Sequence, residues 1–168
     1  MKHTVVALVE NQPGVLNRVA SLFRRRGFNI DSLTVGRTET PHISRMTIVV
    51  DGANTIVEQV VKQLYKVIDV LKVSDVSEDS TVMRELALIK VSATASTRSE
   101  IMQIVDIYRG KIVDVAADSL IIEVTGNEDK IESLTQLVRR FGIKEMVRTG
   151  RVAMVRSANG TTRINEED

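Results

Sequence analysis

The sequence predicts an α+β protein of two tandem β-α-β-β-α-β units, the split βαβ or ferredoxin-like pattern, and three observations predict it. Runs rich in β-branched residues alternate with stretches of helical period, and the same order occurs twice. The aliphatic residues include 25 Val and 15 Ile against 5 aromatic residues, a composition suited to small pleated sheets. The length of 168 residues holds two domains of this size, and the polar stretch Ser77-Glu78-Asp79-Ser80-Thr81 lies between the two repeats.

In the first unit, residues 4–9 form an apolar run that reads as a strand buried on both faces. Asn11-Gln12-Pro13-Gly14 is a turn cluster with Pro placed where a helix begins. Val15, Val19, Leu22 and Phe23 then recur at helical spacing, and Gly27 closes that helix. Ile30–Thr38 and Arg45–Asp51 have strand composition about the turn Glu39-Thr40-Pro41-His42. Asn54 is placed to cap a second helix with the stripe Ile56 or Val57, Val60, Val61, Leu64 and Ile68, and Val70–Val76 is again strand-like.

The second unit starts with a strand over Glu85–Ser92. Thr97-Arg98-Ser99-Glu100 fits a capping box opening a helix with Ile101, Ile104, Val105 and Tyr108 on one face, closed by Gly110. Short strands follow over Ile112–Ala116 and Leu120–Thr125. A fourth helix carries Ile131, Leu134, Leu137, Val138 and Phe141 and stops at Gly142, and Ile143–Val155 is extended with a break at Thr149-Gly150. Domains are expected over 1–77 and 82–156. Residues 157–168, with Ile164 their one aliphatic residue beyond Ala, read as a disordered tail.

Composition removes several functions. The chain has no cysteine and two histidines, His3 and His42, so thiolate chemistry and histidine-based metal cages have no material. Residues 1–80 hold 10 basic and 9 acidic groups and residues 81–168 hold 13 of each, so neither half has the basic excess of a polyanion binder. None of the expected strands carries Phe, Tyr or Trp, which removes the base-stacking surface that an RNA-binding use of this fold needs. The longest apolar run, Val5–Val9, is far below the ~20 residues of a membrane span, and no signal pattern opens the chain; a soluble cytoplasmic protein is expected.

A catalytic constellation is equally hard to assemble, because no nucleophile stands beside a candidate base. Asp114 and Asp118 read as solvated strand-end carboxylates. Arg24-Arg25-Arg26 falls in the last turn of a helix, where the macrodipole favours cations by ~0.3–1 kcal/mol each. The Asn11–Leu16 segment differs in kind. A polar turn entering a helix leaves backbone N–H groups outward, a seat for a carboxylate. Gly14 in a first turn costs ~1 kcal/mol relative to Ala, which suggests close approach of something to the backbone. A simple turn-and-cap role explains the same residues and stays open. Alternation in residues 4–9 makes the sheet face away from the helices apolar too, so either the second domain or another copy of the chain is expected to cover it.

Four stretches carry a more specific signal: Glu10-Asn11-Gln12-Pro13-Gly14-Val15-Leu16, the run from Arg26 and Gly27 through Phe28-Asn29-Ile30-Asp31-Ser32-Leu33-Thr34-Val35, Ser44-Arg45-Met46-Thr47-Ile48, and Arg109-Gly110-Lys111-Ile112-Val113-Asp114-Val115. With them the chain, from about residue 2 to 156, resembles the small regulatory subunit of acetohydroxyacid (acetolactate) synthase, whose N-terminal half is an ACT domain. The resemblance implies a chain without catalysis of its own that activates a large catalytic subunit and makes it sensitive to valine or another branched-chain amino acid. It implies a homodimer through the ACT domains. The effector site would take Asn11, Gly14, Val15 and Leu16 from one chain and Asn29 and Ile30 from its neighbour. Thiamine diphosphate, magnesium and FAD are expected on the catalytic subunit and no cofactor or metal on this chain. The alternative is a free-standing ACT-type amino-acid sensor acting on a different partner.

Overall fold

A computed structural model describes residues 1–157; the expected tail lies, from residue 158, outside the described residues. Among the described residues nine strands and four α-helices follow one another as β1 (Lys2–Glu10), α1 (Val15–Arg26), β2 (Ile30–Arg37), β3 (Ile43–Asp51), α2 (Asn54–Leu64), β4 (Val70–Asp75), β5 (Thr81–Ser92), α3 (Arg98–Ile107), β6 (Lys111–Val115), β7 (Ser119–Gly126), α4 (Glu128–Val138), β8 (Ile143–Arg148) and β9 (Val152–Val155), with a short 3-10 helix, Arg139–Phe141, after α4. The double β-α-β-β-α-β order is present as expected. The chain forms two compact units, residues 1–82 together with the segment from Arg151, and residues 83–150.

The first sheet has the order β2-β3-β1-β4 with antiparallel pairing throughout. Alternation decides its faces. Val5, Ala7 and Val9 join Met46, Ile48 and Val50 of β3 under Val15, Val19, Leu22 and Phe23 of α1 and Val57, Val60 and Leu64 of α2. Phe23 meets Phe28 edge-on at 6.1 Å between ring centroids, a favoured aromatic geometry. Gly27, at φ 70°, ends α1 in the left-handed region, as a C-terminal cap requires.

Thr4, Val6 and Leu8 on the opposite face are also buried. Part of their cover comes from the same unit: Arg151 Nη1 donates to Thr4 Oγ1 (3.1 Å) and Arg45 Nη2 donates to the Ala153 carbonyl (2.6 Å). The Arg156 N–H donates to the Ser80 carbonyl (2.7 Å), and β9 pairs with the strand that begins at Thr81. The segment after Gly150 therefore returns to the first unit.

In the second sheet the order is β6-β7-β5-β8. Ala87, Ile89 and Val91 of β5 and Leu120, Ile122 and Val124 of β7 form its core with Ile101 and Val105 of α3 and Ile131, Leu134 and Val138 of α4. Lys144 donates to Asp118 at 2.8 Å, and that hydrogen bond, followed by the same ammonium's charge, holds the exposed Asp118 carboxyl below the usual carboxylate range. Asp118 thus serves as a paired surface group, in keeping with the strand-end reading.

Several local expectations are corrected. Asn54 lies inside α2, and the capping position belongs to Ala53, at φ −76° and ψ 159°. Ile68 lies beyond the helix and is 87% exposed, so it is not part of the buried stripe. Thr97 does not form a capping box: its backbone is helical (φ −99°, ψ −18°) where a cap is extended. Its hydroxyl accepts the Thr94 N–H instead (2.9 Å), while Glu100 pairs with Arg140. Arg109, at φ 54°, takes the left-handed turn after α3, not Gly110. Gly110 is small for a different reason, since a Cβ there would stand 3.1 Å from the Glu123 carbonyl oxygen. Asn127 is a cap that the periodicity did not single out, its Oδ1 accepting the Lys130 N–H at 3.0 Å.

Two outcomes test this packing. Leu134 is fully buried and Leu137, on the same helix, is 45% exposed. Leu134→Ala is expected to cost about 2–5 kcal/mol in urea unfolding, whereas Leu137→Ala stays within about 0.5 kcal/mol. Lys144→Met is expected to raise the Asp118 pKa toward the ordinary carboxylate value in an NMR titration. The stabilisation from that pairing is present above the ordinary carboxylate pKa and lost as the pH falls through the depressed one.

Candidate functional site

The candidate residues fall into two groups, and strand register separates them. Glu10 pairs with Ile43 and Arg37 with Ser44, so Asn11–Leu16 lie at the end of the sheet where β2 finishes. Ile30 pairs with Val50, so Asn29 and Ile30 lie at the other end. The six residue steps of β3 from Ser44 to Val50 correspond to roughly 20 Å at ~3.3 Å per residue. A single chain does not bring the two groups together. Asn11, Gly14, Val15 and Leu16 form one cluster, and Asn29 and Ile30 form the other.

Hydrogen bonds on both sides of the first cluster fix its backbone. The Asn11 N–H donates to the His42 carbonyl (2.7 Å), and the Gln12 N–H to the Glu10 carbonyl (3.0 Å). His42 itself has φ 66°, an uncommon value for a side-chain-bearing residue. Thr38 holds the turn that presents His42, its hydroxyl donating to the Ile43 carbonyl (3.0 Å) and accepting the Thr40 N–H (3.2 Å). The motifs did not point to these turn residues; the Thr38 signal is a hydroxyl two residues before a Thr-Pro pair, the chemistry of a local side-chain turn.

Asp69 anchors the other side. It is buried, pairs with Arg18 of α1, and accepts the Glu10 N–H on its backbone carbonyl at 2.9 Å. One residue therefore ties the end of β1, the first turns of α1 and the entry to β4. The Arg18 side chain is 54% exposed and Asp69 10%, so removing Arg18 leaves the buried carboxylate uncompensated, which makes the pair a positioning element for the helix start.

Gly14 is the N-terminal cap of α1, at φ 86° and ψ −9°, and no side chain caps the helix. This corrects the placement of Gly14 within the first turn. A Cβ on Gly14 would meet no atom of its own chain within 4 Å. The glycine is therefore needed for its left-handed backbone, and the space above it is open. The first N–H groups of a helix lack intrahelical acceptors, so an uncapped start facing open space can receive an anionic group. Asn11 and Leu16 are exposed beside it, but Val15 is 3% exposed and packs into the core. Asn29 is exposed at the far end and Ile30 is half-buried against the core.

Arg45 belongs to one of the recognisable motifs and is half-buried at its contact with the Ala153 carbonyl. Burial lowers its guanidinium pKa from the usual value, a shift opposed by the charge of Glu39. Its hydrogen bond fastens the returning segment. Among the described residues no group of three His, Cys, Asp or Glu side chains could hold a metal ion, and no helix is long and apolar enough to cross a membrane.

Comparison with known proteins draws on both halves. Residues 6–72 match the family model described as the AHAS small subunit-like ACT domain, and residues 84–157 match that of the small subunit of acetolactate synthase. A protein named "Probable acetolactate synthase small subunit" from Archaeoglobus fulgidus is 61% identical over 156 residues, covering 93% of this chain and 98% of that protein. The acetolactate synthase small subunit of Mycobacterium leprae is 51% identical, covering 94% of each chain. The crystal structure of the Thermotoga maritima acetolactate synthase small subunit superposes with a TM-score of 0.87 at 47% identity, covering 94% of this chain and 98% of that one. With two family models side by side and relatives matched over nearly their whole length, the chain belongs to the family of acetolactate synthase small subunits.

Proposed function

We propose that this chain activates the thiamine diphosphate-dependent catalytic subunit of acetolactate synthase and subjects it to feedback inhibition by valine or another branched-chain amino acid. The regulated reaction joins two pyruvates to acetolactate, or pyruvate and 2-oxobutyrate to acetohydroxybutyrate, in the cytoplasm. Thiamine diphosphate, magnesium and FAD belong to the catalytic subunit in this reading. The observation that carries it is the uncapped helix start at Gly14, open to solvent in a chain that matches synthase small subunits over most of their length.

The register supports an effector site shared by two copies. β2 is one of the two outer strands of the first sheet and carries the exposed Val35. Unpaired edges of this kind invite another strand. Antiparallel pairing of β2 with the same strand of a second copy about a twofold axis sets Ile30 of one copy near Arg37 of the other. That is the end at which Asn11–Leu16 lie. The effector carboxylate then meets the helix-start amides at Gly14, with Asn11 and the partner's Asn29 at its polar end. Leu16 and the partner's Ile30 supply the aliphatic walls, and Val15 supports them from the core.

Valine acts by preferring one arrangement of the paired chains, and a coupling of ~1–3 kcal/mol accounts for ordinary feedback. The deciding measurement mixes the purified chain with the cognate catalytic subunit and follows acetolactate formation with and without valine. Stimulation that valine reverses is expected; no stimulation points to a free-standing sensor, and turnover by the isolated chain points to an enzyme. Gly14→Asp is expected to abolish calorimetric valine binding by placing a carboxylate where the effector's sits. Gly14→Asn, which tolerates the left-handed backbone as well as Asp does, is the control for strain and retains more binding. Asn29→Ala is expected to weaken valine binding at least fivefold, and an unchanged isotherm removes Asn29 from the site.

A further inference from the structure

A groove of about 710 Å³ runs between α1 and the connection from α2 to β4. Four cations line it, Arg18, Arg25 and Arg26 from the helix and Lys66 from the connection, and no carboxylate does. Arg18 is paired with Asp69, and Arg26 donates to the neutral Gln63 amide at 3.0 Å. Arg25 and Lys66 have no ion-pair partner among the described residues. In a chain of net charge +1 this is a local concentration of positive charge. The helix dipole explains why the C-terminal turn of α1 tolerates arginines. It does not explain Lys66, which comes from a separate element.

The groove is also apolar where it should not be. Ile68 lines it at 87% exposure, the most exposed large hydrophobic side chain among the described residues, and Leu22 lies buried on the same wall. An inorganic anion would satisfy the cations and leave Ile68 in water. A polypeptide carrying acidic residues next to an aliphatic side chain covers both. The groove is open along the surface, whereas small-molecule sites enclose their ligand.

We propose that this groove docks an acidic segment of the acetolactate synthase catalytic subunit, with an aliphatic side chain of that segment on Ile68 and its carboxylates facing Arg25, Arg26 and Lys66. The inference rests on the function proposed above and adds the contact surface. Its position has a consequence for regulation, since α1 carries the groove along its body and the candidate effector cluster at its start. Twelve residues of helix are about 18 Å long, so both sites bear on one rigid element.

The test uses the full chain and the catalytic subunit, measuring affinity from the concentration dependence of activation and from calorimetry. The Arg25→Glu/Lys66→Glu double variant is expected to bind at least tenfold more weakly and to lose most of the salt dependence shown by the unmodified chain. Ile68→Ser is expected to weaken binding about threefold or more at unchanged salt dependence. Valine calorimetry on the isolated variants reports that they remain folded, and Arg25→Gln/Lys66→Gln, expected to give an intermediate loss, replaces the charge reversal if that variant fails to fold. Equal affinity of all forms overturns the groove but leaves the proposed function standing. Failure of the unmodified chain to bind the catalytic subunit overturns both. Phosphate or nucleotide binding that the double variant loses, with subunit affinity unchanged, assigns the groove to a small anion and overturns the docking role.

Discussion

The nine-residue antiparallel pairing of β1 with β3, from Lys2 opposite Asp51 to Glu10 opposite Ile43, is the constraint on which the rest of the first unit depends. It sends Val5, Ala7 and Val9 to the helix side with Met46, Ile48 and Val50, and a slip of one residue would turn one strand's set toward the opposite face. The same register fixes the ends of β2 through β3. That places the Gly14 helix start and Asn29 at opposite ends of the sheet. A ligand touching both therefore requires two chains, and this follows from backbone pairing before any side chain is considered.

Within that frame the cost of shaping the helix start falls on a few residues. Gly14 takes a left-handed backbone without steric penalty, and His42 takes one despite its side chain. Asp69 is buried and satisfied by Arg18 and by its own backbone contact to Glu10. The Asn11–Leu16 loop is thus held from the β2–β3 turn on one side and from the β4 entry on the other. A ligand meeting a loop held in this way would spend less ordering entropy on binding.

How much of this was legible in the sequence differs by type of interaction. Strand and helix order could be read because Val and Ile at period two and the stripes at Val15–Phe23 and Ile131–Val138 are local signals. The Gly14 turn was legible as a special position, and the backbone adds a reason that no local pattern spells out, a left-handed φ of 86° that favours glycine. Thr97-Arg98-Ser99-Glu100 has capping-box spelling, yet Arg140, 40 residues on, claims Glu100, and no local pattern contains that competition. Likewise the resemblance sets Val15 beside Leu16 in the effector site, whereas the helix turns Val15 into the core and Leu16 outward. Arg45 reaching Ala153 across 108 positions, and with it the return of the chain to its first unit, lies beyond any window of sequence.

The regulatory role proposed above gives the surfaces of α1 a physical sense. A subunit that controls a partner's reaction needs surfaces whose free energy depends on state, and such surfaces are made of register, burial and charge placement. Helix α1 joins three of them: its start faces open space at Gly14, its inner stripe is locked into the core by Val19, Leu22 and Phe23, and its outer arginines line the cationic groove. Because the inner stripe is fully packed, a close-packed interior resists bending of the helix on its own. A force applied at its first turn is then taken up by tilting or sliding of the whole element, or by a shift at the edge strand where a second copy would pair. Either response moves the arginines together with the helix start. Coupling between an effector at one end and a partner along the side thus needs no chain of intermediate contacts, only a helix that moves as one body and two ligands that prefer different positions of it.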